Sequence, residues 1–114
     1  MKYIPTSFGT YISVTPEEAK DMLSQGDLAV LDVRTKAEFA EKHLAGARNI
    51  PNETIGGSLI DGLALTKTIL VYCKSGKRSE MAVKKLLSLG YTHVYNMVGG
   101  IEAWPYDTVQ GEAA

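Results

Sequence analysis

Leu70-Val71-Tyr72-Cys73-Lys74-Ser75-Gly76-Lys77-Arg78-Ser79 runs from an apolar strand through a short polar loop into a helix, and it holds the only cysteine of the chain. Thr68 to Tyr72 is β-branched and apolar enough for a buried strand, while Met81, Ala82, Leu86, Leu87 and Leu89 recur at helical spacing up to Gly90. This spacing predicts Cys73 at a strand-to-helix joint. The first turn of a helix leaves backbone N–H groups without intrahelical partners, and they point at whatever occupies the loop ahead of them. An anionic sulfur suits that place, favoured by the N–H dipoles and by Lys74, Lys77 and Arg78. Gly76 lets the backbone turn inward with positive φ, and Ser75 and Ser79 add hydroxyl donors. A lone cysteine at a strand end is commonly a small core hydrophobe. Three cations and a glycine within the next five residues favour a nucleophile instead, because a buried structural thiol gains nothing from them.

The totals narrow the function classes. At 114 residues the chain is one domain of ordinary size, and its 45% apolar and 22% charged residues are those of a globular protein with a single core. A net charge of −1 and a pI near 6.1 leave no global basic surface, so no nucleic-acid partner is expected. One cysteine excludes an internal disulfide and a Cys-rich metal site, and His43 and His93 are too far apart to supply a zinc set. Neither a metal nor another cofactor is expected. There is also no resolving thiol, so a group taken up by Cys73 must leave to water or to an external acceptor. No run approaches the ~18 apolar residues of a membrane span. Met1-Lys2-Tyr3-Ile4-Pro5 lacks the apolar region of a signal peptide, and the cytoplasm is the expected location.

Along the chain, residues 1–10 read as a loosely held flexible arm and Tyr11 to Val14 as a short strand. Thr15-Pro16-Glu17-Glu18 predicts a capped helix start, with Ala19, Met22 and Leu23 facing inward and Gly26 beyond the end. Leu28 to Val33 is a continuous apolar run suited to a strand covered on both faces. Thr35-Lys36-Ala37-Glu38 repeats the capping pattern and opens a short helix through Phe39 to about Lys42. A short strand follows at Arg48 to Ile50. From Asn52 to Leu65 the glycines break any long helix, leaving one or two turns around Leu59, Ile60 and Leu63. The last strand is Val94 to Met97, followed by Gly99-Gly100, a short helix with Ile101, Ala103 and Trp104, and a frayed tail at 107–114. Alternating strands and helices of this length predict an α/β fold, a parallel sheet with helices on both faces, spanning residues 11–106. Ligands of such sheets gather beyond the carboxyl ends of the strands, where Cys73 falls.

Four motifs, in order, complete the reading: Asp32-Val33-Arg34 with Glu38-Phe39; His43-Leu44-Ala45-Gly46-Ala47-Arg48-Asn49-Ile50-Pro51; Cys73 to Ser79; and Gly99-Gly100-Ile101-Glu102-Ala103-Trp104. Together they resemble a single-domain rhodanese over about Ile12 to Trp104. The resemblance implies a three-layer fold on a five-stranded, mainly parallel sheet. It also implies a thiosulfate sulfurtransferase in which Cys73 carries a persulfide and Lys74, Ser75, Gly76, Lys77, Arg78 and Ser79 hold the donor. The donor would be thiosulfate, polysulfide or another persulfide, and the acceptor cyanide, a small thiol or a protein thiol, a thioredoxin-like protein among them. Two alternatives come from the same fold. Phosphatases and arsenate reductases resembling rhodaneses carry five residues between cysteine and arginine, whereas here four separate Cys73 from Arg78 and Ser79 stands at the later position. Non-catalytic rhodanese-like modules typically lack the cysteine. Lys74 stands where many family members have arginine, which replaces a planar fork by a point charge. Arg34 is either the structural partner of Asp32, the preferred reading, or the best candidate outside the loop to meet an anionic donor. His43 reads as a structural hydrogen-bonding residue, His93 as a surface residue and Trp104 as core packing.

Overall fold

The computed structural model describes residues 1–111. At its centre is β5 (Ile69–Tyr72), whose four residues are all buried. Its side chains alternate across the sheet as a strand requires: Ile69, Val71 and then Cys73 enter one core, Leu70 and Tyr72 the other. β5 lies between β3 (Ala29–Asp32) and β6 (Val94–Met97), in parallel register with Val71 opposite both Leu31 and Asn96. β2 (Gly9–Val14) extends the sheet beyond β6, and the two-residue β4 (Arg48–Asn49) extends it beyond β3, both parallel. These are the five parallel strands expected from the sequence.

Among the described residues a sixth strand completes the sheet, in the order β1-β2-β6-β5-β3-β4. β1 (Lys2–Thr6) runs antiparallel to β2, with Lys2 opposite Ser13 and Thr6 opposite Gly9. The residues read as a loose arm are therefore a hairpin. Its turn is closed by Thr6, whose hydroxyl donates to Gly9 O at 2.6 Å and accepts from Phe8 N at 3.0 Å. Pro5 hid the strand from a pattern reading, because proline is compatible with a sheet only in an outer strand such as this.

Helices cover both faces. α1 (Pro16–Gln25) and α2 (Lys36–Glu41) begin with the reciprocal caps their sequences predict, Thr15 with Glu18 and Thr35 with Glu38. Their apolar residues, led by Ala19 and Phe39, pack on Val30, Leu70, Tyr72 and Met97. α3 (Lys77–Leu89) covers the other face with Ala82, Val83, Leu86 and Leu87. Met81, expected on that inner stripe, is 55% exposed. The positions fixed inward are 79, 82–83 and 86–87, and 81 falls outside that stripe at 3.6 residues per turn.

The segment after β4 contains one 3-10 turn, Asn52–Thr54, and otherwise irregular chain. Tyr91 ties it down, accepting from Ile60 N at 3.1 Å and donating to Leu63 O at 2.9 Å. The expected short helix after β6 is a 3-10 turn, Gly100–Ala103. Part of the expected frayed tail is held: Val109 exchanges both backbone bonds with His43 at 2.9 Å, and Gly111 N donates to Ala40 O at 3.0 Å. Residues 112–114 of that tail lie outside the described residues.

Candidate active site

Cys73 leaves β5 on the α3 side and is 1% exposed, yet its sulfur is not surrounded by hydrocarbon alone. Gly76 N–H donates to Sγ at 3.0 Å, and Ser79 Oγ lies 3.3 Å from Sγ. Ser79 in turn donates to Gly76 O at 3.0 Å. With its one proton on Gly76 O the hydroxyl accepts from a Cys73 thiol, and it donates to a thiolate only by turning that proton from Gly76 O to the sulfur. Gly76 has φ +120, a conformation that side-chain-bearing residues rarely adopt, and this turn brings its amide onto the sulfur. Of the two serines expected as donors, Ser79 is fully buried at the sulfur, whereas Ser75 is exposed.

The loop is braced from behind. Ile101 N donates to Cys73 O at 2.8 Å and Glu102 N to Lys74 O at 3.1 Å, so free N–H groups of the 3-10 turn hold the loop's carbonyls. Gly100, at φ +61, packs so closely that a methyl there would collide with the Cys73 carbonyl and the Lys74 backbone. The Gly99-Gly100 pair was legible only as part of a family signature; here it is the backstop of the cysteine loop.

The three loop cations differ in fate. Lys74 and Lys77 are exposed and form no ion pair among the described residues. Arg78 is joined to Glu38 by two bonds, Nη1 to Oε1 at 2.7 Å and Nη2 to Oε2 at 3.0 Å. That bond to Arg78, aided by the Thr35 cap, holds the Glu38 carboxyl at about 2, well below the usual carboxylate range. Glu38 was legible as a helix cap, but its partner forty residues away left no local signal.

Arg34, read as either the partner of Asp32 or a contact for the donor, is the partner of Asp32. Its Nε donates to Oδ1 at 3.1 Å and its Nη2 to Oδ2 at 2.7 Å and to Lys42 O at 2.6 Å, with 4% exposure. A guanidinium so occupied has little left to offer an anion. Burial opposes its charge, and the Asp32 carboxylate more than offsets that, so its pKa is raised. Tyr72 lies beneath this pair and accepts from Leu44 N at 3.1 Å; burial first, and then Asp32, push its phenol far above the ordinary value. His43 is structural: it is buried, stacks on Phe39 at 3.6 Å and donates from Nδ1 to Phe39 O at 2.7 Å. His93 is exposed, and Trp104 packs partly buried against the α1–α2 core.

Among the described residues no group of three or more His, Cys, Asp and Glu stands close enough to hold a metal ion. No described helix is long and apolar enough to cross a membrane. A cleft of about 520 Å³ lies along α1, lined by Glu18, Asp21, Asp27, Leu28 and Tyr95 among others, and includes none of the Cys73 loop. The Cys73 sulfur thus sits in the grip of its own loop, apart from that cleft.

The family model of the rhodanese-like domain matches residues 15–106. The thiosulfate sulfurtransferase GlpE of Pseudomonas putida (strain GB-1) is 35% identical over 104 residues, covering 88% of this chain and 94% of that protein. The human single-domain sulfurtransferase TSTD1 superimposes with a TM-score of 0.75 at 28% identity, over 81% of this chain and 93% of that one. A rhodanese with anions from E. coli superimposes with a TM-score of 0.65 at 32% identity, over 73% and 98%. A cysteine held at the carboxyl end of the central strand, in a match running from the cap of α1 to Tyr106, places this chain in the rhodanese-like family.

Proposed function

We propose that this protein is a sulfurtransferase moving a sulfane sulfur from a donor such as thiosulfate or polysulfide to cyanide or a thiol, through a persulfide on Cys73. The observation that carries the reading is the approach of the Gly76 amide and the Ser79 hydroxyl to the Cys73 sulfur, two polar contacts that a cysteine buried only for packing has no need of. In the first step the Cys73 thiolate attacks the outer sulfur of thiosulfate. A new S–S bond forms, the old one breaks, and sulfite departs with the electron pair. Lys74 and Lys77, exposed beside the loop, draw in the anionic donor, while the fixed loop donors stabilise charge as it moves. In the second step cyanide or a thiolate attacks the outer sulfur and the Cys73 thiolate leaves. The chain has no second cysteine to intercept the persulfide. A thioredoxin-like protein is one acceptor whose thiol chemistry fits.

Phosphate or arsenate chemistry on the same fold needs an arginine closing round a tetrahedral oxyanion. Arg78, the arginine of this loop, has both terminal nitrogens on Glu38 instead. The test is thiocyanate formation from thiosulfate and cyanide, together with the intact mass after donor treatment. The wild type is expected to turn over and to gain about 32 Da, lost on thiol treatment, with both results absent in Cys73→Ser. Cleavage of an aryl phosphate without thiocyanate formation would move the protein to the phosphatases, and neither activity would make it an interaction module.

A further inference from the structure

Arg78 belongs to the loop read as the donor site, but its charge is spent on α2. Glu38, its partner, is not a loose surface carboxylate. Thr35 N and Oγ1 both donate to Glu38 Oε1 at 3.1 Å, and Glu38 N donates back to Thr35 Oγ1 at 3.2 Å. A bidentate guanidinium–carboxylate pair has fixed relative geometry, unlike the point contact of a lysine. The capped end of α2 is thereby bolted to the second residue of α3. The next residue is Ser79, and the residue before α3 is Gly76: the two groups that touch Cys73 Sγ.

We infer that Glu38 is a positioning residue for sulfur transfer: through Arg78 it fixes the first turn of α3, and with it the Gly76 amide and the Ser79 hydroxyl on Cys73 Sγ. The inference rests on the sulfurtransferase reading, and it assigns Arg78 to loop geometry, leaving Lys74 and Lys77 to attract the donor. A partly exposed ion pair adds little to global stability, so its function is to be read in turnover rather than in melting temperature. A carboxylate whose pKa is depressed on folding keeps its pair above the ordinary value of about 4.5 and loses it only as pH falls toward the folded value. With Glu38 at about 2, the pair is intact throughout the neutral range.

The experiment is steady-state thiosulfate–cyanide kinetics on the wild type, Glu38→Gln, Arg78→Met and the double variant, with a melting temperature for each. Glu38→Gln keeps an amide oxygen for Thr35 N–H, so α2 retains its cap. Each single variant is expected to lose about tenfold in kcat with the thiosulfate KM within about twofold, and the double variant to lose no more than either. The loss should be the same from about pH 6 to 9, because Glu38 does not titrate there. An unchanged kcat in folded Glu38→Gln, or a raised KM with intact kcat in Arg78→Met, overturns the inference. Should those variants fail to fold, Arg78→Lys keeps the charge and removes the fork, and full turnover in it overturns the inference equally. A wild type that forms no thiocyanate sinks the sulfurtransferase reading alone. The alkylation rate of Cys73 by iodoacetamide in the same variants still reports the loop, and equal rates would reject the positioning role.

Discussion

One hydroxyl links the cysteine to the end of its own loop, since Ser79 Oγ is 3.3 Å from Sγ and 3.0 Å from Gly76 O. Removing it in Ser79→Ala takes the hydroxyl contact from the sulfur and leaves the buried Gly76 carbonyl without that donor. A hydrogen bond to a charged group contributes about 1.5–3 kcal/mol. The variant is therefore expected to lose roughly tenfold to a hundredfold in kcat, with little change in KM, in the thiosulfate–cyanide assay. Retention of full turnover would show that the Gly76 amide alone suffices. At this scale the sequence spoke for Cys73, Gly76 and Ser79, because a helix start and a positive-φ glycine have local signatures. It did not separate Ser79 from Ser75, which differ by where helix α3 begins, and it left Arg34 open between two partners. The geometry of that choice depends on Lys42 O, supplied by a segment eight residues away.

α3 does two things: its inner stripe closes one core, and its first turn holds the sulfur. Leu86 anchors that stripe with no exposed surface. Leu86→Ala removes a buried side chain from a packed core and is expected to cost about 2–5 kcal/mol, measured by urea unfolding. That is a large share of the roughly 5–15 kcal/mol stability of a domain. A cost under 1 kcal/mol would mean that the core collapses around the gap. The helices were readable because caps are local: Thr15 with Glu18 and Thr35 with Glu38 are each three residues apart. The hairpin strand β1 and the held segment at Val109 were not. The first is a local hairpin whose outer strand is interrupted by Pro5, the second is held by backbone bonds to His43, far away in the sequence, and neither carries an apolar period.

For the whole molecule, the parallel sheet, its two covered faces and the site at its carboxyl end were legible from the alternation of apolar runs and capped helices. Where the reading ran short was at the margins: Pro5 masked the outer strand of a local hairpin, and the pairing of Val109 with His43 is long-range and leaves no mark on neighbouring residues. The outermost strand carries a consequence for solution behaviour. β1 presents its unpaired side to solvent, and its Tyr3 is 75% exposed, so a neighbouring copy would find a ready backbone template there were it not for Pro5, which offers no amide. Pro5→Val should make the protein self-associate with rising concentration in sedimentation velocity, while the wild type keeps one sedimentation coefficient. The imino acid that concealed this strand from a reader of the sequence would then also be what keeps it from polymerising.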